Sequence, residues 1–461
     1  MARFLLFWLL GVFVLAVPII GTHAQETPPV NNPHQGLSSS SPPESCKGCH
    51  TQIYDEWRDS FHAKATTSPA FRGMFTIFDF STQGKAPAEC LNCHSTDSKY
   101  RQNHEELRQA ILEDRPNTPG ITCTACHGIT QVEDIPDLMV PVENQPVTLP
   151  AHNVEKGELF KKSVMCSSCH DYNNAHAVGG DWQKGVPCCD TNRDFRRTEM
   201  AKRGVTCQSC HMASGLSENP KAWKNELSEQ TSFKSTLMRW LNLEQYVEKK
   251  KWKGHRFPGS HDAPMLKSAF DIQLESTRDG DTVIANIAIK NLTGHSIPNG
   301  CPPRTRIFLK VWLEDSDGFE LDGKQVEYGI NFKDKNGNEP AMVDTAVSRG
   351  FDQVFEAEKT DHQRFVLSMS DADEGQVYLK GSMTYVHFVM PPSDAQNRMQ
   401  QGLIKRIKAG TESEKDFILN TEIPGRMAAM NRLASAYNPI VIWQFKANVS
   451  DNGLTELEVK Q

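Results

Sequence analysis

The chain has 461 residues, a formal net charge of −7, 23% charged and 38% hydrophobic residues. That length allows two or three domains, and the composition excludes a fibrous or wholly disordered protein. The mild acidity argues against a nucleic-acid partner, which calls for a basic surface.

The N-terminus reads Met1-Ala2-Arg3, then an apolar run from Phe4 to Ile20, then Thr22-His23-Ala24. One early positive charge, an apolar core and a small-residue exit indicate a secretory signal peptide over 1–24, with an uncleaved anchor as the alternative. Residues 25–44 are rich in Pro, Ser and Asn and read as a flexible linker. Such a chain is exported, to the periplasm or the cell surface.

Cys-x-x-Cys-His then occurs five times: Cys46-Cys49-His50, Cys90-Cys93-His94, Cys123-Cys126-His127, Cys166-Cys169-His170 and Cys207-Cys210-His211. On one helical turn, positions i, i+3 and i+4 share a face, so two thiols and an imidazole converge. This is the attachment signature of a c-type haem, in which the thiols form thioethers and the histidine reaches the iron. Zinc ribbons and disulfide frameworks give no reason for a histidine after every second cysteine. The pattern therefore implies five covalent haem c groups over 45–267. So little protein per haem cannot wrap each macrocycle separately, so the haems must pack on one another in a mostly α, haem-packed domain.

The sixth ligand separates a carrier from an enzyme. Beyond the motifs and the leader, the histidines are His34, His62, His104, His152, His176, His255, His261, His295, His362 and His387. Read as one helix continuing from His50, the run to His62 would carry it ~18 Å along the axis. His62 would then serve a neighbouring haem, with Tyr54, Trp57 and Phe61 lining the helix. A helix over Thr236–Lys253 leads into a turn carrying His255 and His261, with Pro258 and Gly259 between them. His152 and His176 flank the fourth motif and are further candidate iron ligands. His104 reads as solvent-exposed, His362 and His387 as structural, and His34 as a linker residue or a ligand to a neighbouring molecule. Cys188, Cys189 and Cys301 lie outside the motifs. A bridge from one of the adjacent pair to Cys301 is one reading, and a thiolate iron ligand another.

From about Ser268 the periodicity changes to two. Phe270–Glu275, Thr282–Asn291, Ile307–Asp315, Gln376–Lys380, Met383–Met390 and Pro439–Ala447 read as strands, with Asp-Gly turns after Arg278 and Ser316 and a helix near Ala395–Lys408. An antiparallel β-sandwich-like domain over 268–461 is expected. The loop Thr293-Gly-His295-Ser-Ile-Pro-Asn-Gly either holds an ordinary turn histidine or docks the sheet by reaching an iron.

Several of these segments resemble a known family. They are Cys46-x-x-Cys-His with Tyr54, Trp57 and Ser60-Phe-His62; Gly204-Val-Thr-Cys-Gln-Ser-Cys-His-Met212; His255-x-Phe257-x-Gly259; and Gly294-His295-x-x-Pro298-x-Gly300. Over roughly 44–320 the chain resembles the exported multihaem cytochromes typified by the tetrahaem electron acceptor of hydroxylamine oxidoreductase. It differs in placing Cys188-Cys189 where those proteins often continue a Tyr-x-Glu-Trp segment. The resemblance implies bis-histidine haems with His62, His255 and His295 as distal ligands, and electron relay with other redox proteins, whether cytochromes or quinol-linked oxidoreductases. It also leaves two alternatives, a multihaem reductase with one open haem and a self-associating haem filament.

The expected outcome for the exported protein is an intact mass carrying five haem additions, with one fewer in a Cys207→Ala/Cys210→Ala double variant. A metal- or disulfide-held protein would show none.

Overall fold

The structure is a computed structural model, which describes residues 42–84, 87–95, 104–127, 133–135, 138–140, 158–174, 184–216, 219, 221–231, 253–299, 304–340, 343–370, 375–450 and 453–461. The leader, most of the linker with His34, all but the last residue of the predicted helix over Thr236–Lys253, His152, His176 and Cys301 lie outside these residues.

The first half is built of short helices. Helix α1 (Glu44–Lys47) and helix α2 (Thr51–Asp59) flank His50. Helix α2 stops at Ser60, whose backbone is extended, so the helix does not continue to His62 as the sequence reading had it. His62 instead occupies the turn that follows. Helix α3 (Pro69–Thr82) starts where Ser68 Oγ accepts the Phe71 N–H and Pro69 supplies a preset first position. It ends at Gln83 in the left-handed region, φ 54°. Helices α4 (Pro87–His94), α5 (His104–Leu112), α6 (Cys123–His127), α7 (Val164–His170), α8 (Thr191–Phe195), α9 (Glu199–Lys202), α10 (Cys207–His211), α11 (Ala222–Thr231) and α12 (Ala263–Ser268) follow. Four of the motif helices, α4, α6, α7 and α10, end on the motif histidine. Two short hairpins join them, β1 (Glu133–Ile135) with β2 (Leu138–Val140), and β3 (Asp171–Asn174) with β4 (Val186–Asp190).

The second half is dominated by two antiparallel sheets. Strand β5 (Phe270–Asp279), β6 (Thr282–Asn291) and β10 (Thr360–Ser368) form one, in the order β10-β6-β5. The other runs β13-β12-β11-β7-β8-β9, with β7 (Arg306–Glu314), β8 (Glu320–Lys333), β9 (Ser348–Gln353), β11 (Tyr378–Val386), β12 (Ile440–Ser450) and β13 (Gly453–Lys460). Asp279 pairs with Thr282, leaving a two-residue turn whose Gly280 sits at φ 56°, a conformation that favours glycine. The predicted strands at 376–380 and 383–390 are one strand, β11. β8, β9, β10 and β13 were not anticipated, because their alternation is broken by charged or polar inward positions.

Val283, Ala285, Ile287 and Ile289 of β6 share one buried cluster with Ile307, Leu309, Val311 and Leu313 of β7. Leu379, Met383 and Ile442 complete that cluster from β11 and β12. The period-two pattern thus turns alternate side chains of both sheets toward one core.

Between β11 and β12 the chain makes helices α13 (Ser393–Ala409), α14 (Glu412–Phe417) and α15 (Ile423–Ser435). Helix α15 returns to the first half and packs on α3, burying Ile77 with Ala429 and Leu433. The approach is close enough to require glycine at position 73. A Cβ there would stand 2.7 Å from Leu433 Cγ and 2.9 Å from the Ala429 carbonyl. Arg432 adds a two-pronged ion pair to Asp114, at 2.8 and 2.6 Å. Because this pair is largely exposed, apolar packing is the stronger term.

Replacing Gly73 with Val should therefore cost about 1–3 kcal/mol of stability through overpacking, read as a lower urea midpoint at unchanged haem content.

Candidate haem-ligating site

A motif histidine must present one ring nitrogen outward while something else holds the other. His94 Nδ1 donates to the Ala65 carbonyl at 3.1 Å, and His211 Nδ1 to the Pro258 carbonyl at 2.6 Å. Among the non-motif histidines, His255 Nδ1 donates to the Lys253 carbonyl at 2.9 Å and His295 Nδ1 to the Ser296 carbonyl at 3.1 Å. A carbonyl can only accept, so Nδ1 carries the proton and Nε2 keeps its lone pair for a metal.

Desolvation by the surrounding chain also disfavours the charged form of His62, His94, His127, His170, His211 and His255, although His127 and His170 are surface-exposed residues. It pushes His62 down to about 3, aided by the neighbouring imidazoles of His170, His211 and His94. It pushes His94, His127 and His211 down to about 4. His170 and His255 are lowered for the same first reason. A neutral imidazole with a fixed Nε2 is the form that binds iron.

Two imidazoles on opposite sides of one iron have a fixed spacing. With iron–nitrogen bonds of ~2.0 Å, the ring centres stand about 6.3 Å apart. Among the described residues, three histidine pairs have that separation. His62 and His170 are 6.3 Å apart with planes at 64°. His127 and His255 are 6.4 Å apart at 15°, and His211 and His295 are 6.3 Å apart at 17°. Each pair joins one motif histidine to one histidine from elsewhere. The residues present therefore fit bis-histidine haem.

Local interactions deliver each outside histidine. The Ile121 N–H donates to the His62 carbonyl at 2.9 Å, and Trp57 Nε1 donates to the Ile121 carbonyl at 2.8 Å. Gly120 lies directly against this turn: a Cβ there would meet the His62 and Ala63 carbonyls at 2.5 and 2.6 Å. His255 is anchored through its backbone N–H, which donates to Glu56 Oε2 at 2.7 Å. The His295 carbonyl accepts from Asn291 Nδ2 and Thr293 Oγ1, each at 2.9 Å. The next residue, Ser296, donates its N–H to Asp194 of α8. Gly294 leaves room for the Phe195 ring, to which a Cβ would come within 2.7 Å. Glu56, Asn291, Asp194 and Gly120 were not singled out from the sequence. They act through backbone contacts, which have no motif.

The motif cysteines also meet across segments. A thiol hydrogen bond joins Cys46 to Cys123, lowering the first and raising the second. Another joins Cys166 to Cys207, with the same opposite shifts: Cys207 down, Cys166 up. The first and third attachment sites are thus adjacent, as are the fourth and fifth. Cys49 is the exposed member of the ten, and the others are part-buried.

The remaining predicted residues fall as follows. His50 precedes α2 and contributes to the electrostatic lowering of His127 and His255. His94 has the Phe71 ring stacked on it at 4.1 Å, and no described imidazole lies at one-iron spacing from it. His261 is not brought to a motif histidine among the described residues; it stacks on His387 at 4.4 Å and on Phe61 at 3.9 Å. His104 begins α5 and is part-exposed, and His362 is exposed on β10. Cys188 and Cys189 are buried on β4, at 2% and 6% exposure, where Cys188 packs with Ile330, Phe332 and Ala346.

Residues 45–128 match the family model "Cytochrome c554 and c-prime". No curated protein matches the chain. Among solved structures it is similar to a penta-heme cytochrome c552 from Thermochromatium tepidum, with a TM-score of 0.56 at 19% identity, covering 89% of this chain and 99% of that one. With the five motifs, these findings support a multihaem c-type cytochrome with covalently attached haem. No helix among the described residues is long and apolar enough to cross a membrane.

His62→Ala should convert one low-spin ferric signal to high-spin while leaving the haem count unchanged. Gly120→Val should produce the same conversion in part, by displacing the His62 backbone. An unaltered EPR spectrum in both variants would remove His62 from the ligand set.

Proposed function

We propose that this protein is an exported pentahaem electron carrier. In this reading a haem-packed, mostly α domain over 45–267 is followed by an antiparallel β-sandwich-like domain over 268–461. The observation that supports it is the set of three histidine pairs at one-iron spacing, each of which would hold one iron between two imidazoles. When bound, haem iron supplies reversible one-electron chemistry. The chain's own part is to hold two neutral imidazoles in place before and after each electron. That leaves no room for a substrate at those irons, and little needs to rearrange on reduction.

The two inter-motif cysteine contacts support relay rather than isolated storage. A thioether at each of two touching sulfurs would bring the edges of two macrocycles together, the first with the third and the fourth with the fifth. Exchange partners are other redox proteins, cytochromes or quinol-linked oxidoreductases. The net charge of −7 favours a partner with a basic docking surface, since complementary charge speeds encounter.

One observation favours a second reading, a multihaem oxidoreductase. His94 has Phe71 against its ring and no described imidazole opposite it. None of the three pairs includes His50 or His94, so the iron at either is a candidate for an open position, unless His34, His152 or His176 fills it. A filament subunit, with His34 donated to a neighbouring molecule, is the remaining alternative.

Low-temperature EPR of the ferric protein at neutral pH, with haem quantified on the same sample, separates these. Low-spin signals accounting for all five haems are expected for the carrier. A high-spin signal from one haem, converted to low-spin by added imidazole, would make the oxidoreductase reading the better one.

A further inference from the structure

His261, His387 and Tyr437 have no role in the relay just described, yet they form an ordered aromatic stack. His261 lies between two rings: Phe61 at 3.9 Å with planes 18° apart, and His387 at 4.4 Å with planes 8° apart. Tyr437 borders all three, with ring centres 5.9 Å from Phe61, 4.5 Å from His261 and 4.8 Å from His387. Tyr385 meets the His387 ring edge-on at 4.9 Å. Four separate segments converge here: the turn after α2, the loop carrying His255, the end of β11, and the residues after α15.

The polar atoms in this stack are unusual. His387 is 5% exposed, and its ring has no side-chain hydrogen-bond partner; the Ser260 backbone is the polar group beside it. His261 Nδ1 is also buried without a partner. A metal does not explain them. Two imidazoles bound side by side to one ion direct their in-plane nitrogens at a common point. Parallel planes would then make the rings coplanar with that ion, not stacked. Their spacing is also too short for opposite sides of one iron. Nor does a charge stabilise either ring. On the flanking segments, Asp262 is paired with Arg256, Arg304 (which binds the Val389 and Met390 carbonyls) with Glu339, Arg58 with Asp55 and Asp59, and Arg432 with Asp114, the Lys64 amine donates to the Asp59 carbonyl, and Tyr385 and Tyr437 border the rings themselves. Burial raises both tyrosines, so they stay protonated and uncharged.

We propose that the His261–His387 stack is an acid-released clamp that holds the His62 turn against the C-terminal half, so that acid loosens His62 from its iron. The clamp rests on His62 being an iron ligand, as proposed above. Phe61 immediately precedes His62, so whatever fixes the Phe61 ring also fixes the turn. Two neutral imidazoles stack well. Adding a proton to either places a cation in an apolar site with no counter-charge, and a second proton adds repulsion between the rings. Burial, then His387, pushes His261 down to about 3; burial pushes His387 down to about 4, against the opposing pull of the Ser260 backbone.

The sign follows from these directions. The closed stack binds fewer protons than the opened one, whose imidazoles titrate near 6.5. Closure is therefore fully favoured above about pH 6.5 and weakens as pH falls toward about 4, by up to tenfold per pH unit for each histidine.

The test is a pH titration of the full haem-loaded protein, followed by EPR and absorbance for conversion of one low-spin haem to high-spin. The wild type should convert reversibly as pH falls through 6 to 4. His387→Phe and His261→Phe keep an aromatic ring in the stack but cannot take up a proton. Each should move the midpoint down by about one pH unit or more and make the transition less steep. An unchanged midpoint in both variants would overturn the clamp. If His62→Ala leaves the neutral-pH spectrum of the wild type unaltered, His62 is not a ligand, and the failure belongs to that assignment. A phenylalanine variant that does not load haem is replaced by Tyr437→Phe and His387→Gln. There the clamp predicts an unshifted midpoint in the first and a lowered one in the second, and any other result counts against it.

Discussion

The arrangement depends on the need to place two imidazoles from distant parts of the chain about one iron's width apart. A motif helix brings the first beside its two cysteines, because three of its side chains already share one turn, and a carbonyl from another segment orients the ring of His94 and of His211. The second comes from a loop or turn, and loops have no intrinsic geometry of that accuracy. Each outside histidine is accordingly fixed by backbone hydrogen bonds. The Ile121 N–H holds the His62 carbonyl, Glu56 holds the His255 amide, and Asn291 with Thr293 holds the His295 carbonyl.

The same requirement accounts for the glycines that matter. Gly120 lets one segment lie against the His62 turn, and Gly294 lets the His295 loop lie against Phe195. Neither is chosen for backbone freedom. Each is chosen because a single methyl group would fill the space through which one segment positions another.

The β-rich half contributes more than bulk. It supplies His295 through a loop pinned to Asp194 of α8, and it returns through α15 to pack on α3. His387 and Tyr437 close over Phe61 from the same side. Its sheets share an apolar core of their own, so the loops and returning helix rest on a stiff support.

Local chemistry made much of this legible in the sequence. Five cysteine–histidine motifs specify the attachment sites because the reacting atoms lie within one helical turn. Runs such as Thr282–Asn291 specify strands because alternate side chains must face alternate sides. The spacing from His50 to His62 also pointed His62 toward a different haem, although the helix ends at Ser60 and the reason given from helix length does not hold. Only the tertiary structure decided which histidine faces which. It set His62 opposite His170, His255 opposite His127 and His295 opposite His211, and it placed His261 on His387 instead. The reason is physical: a trans ligand pair is fixed by where two separate segments come to rest. That depends on packing summed over many weak contacts, and no single local spacing encodes it.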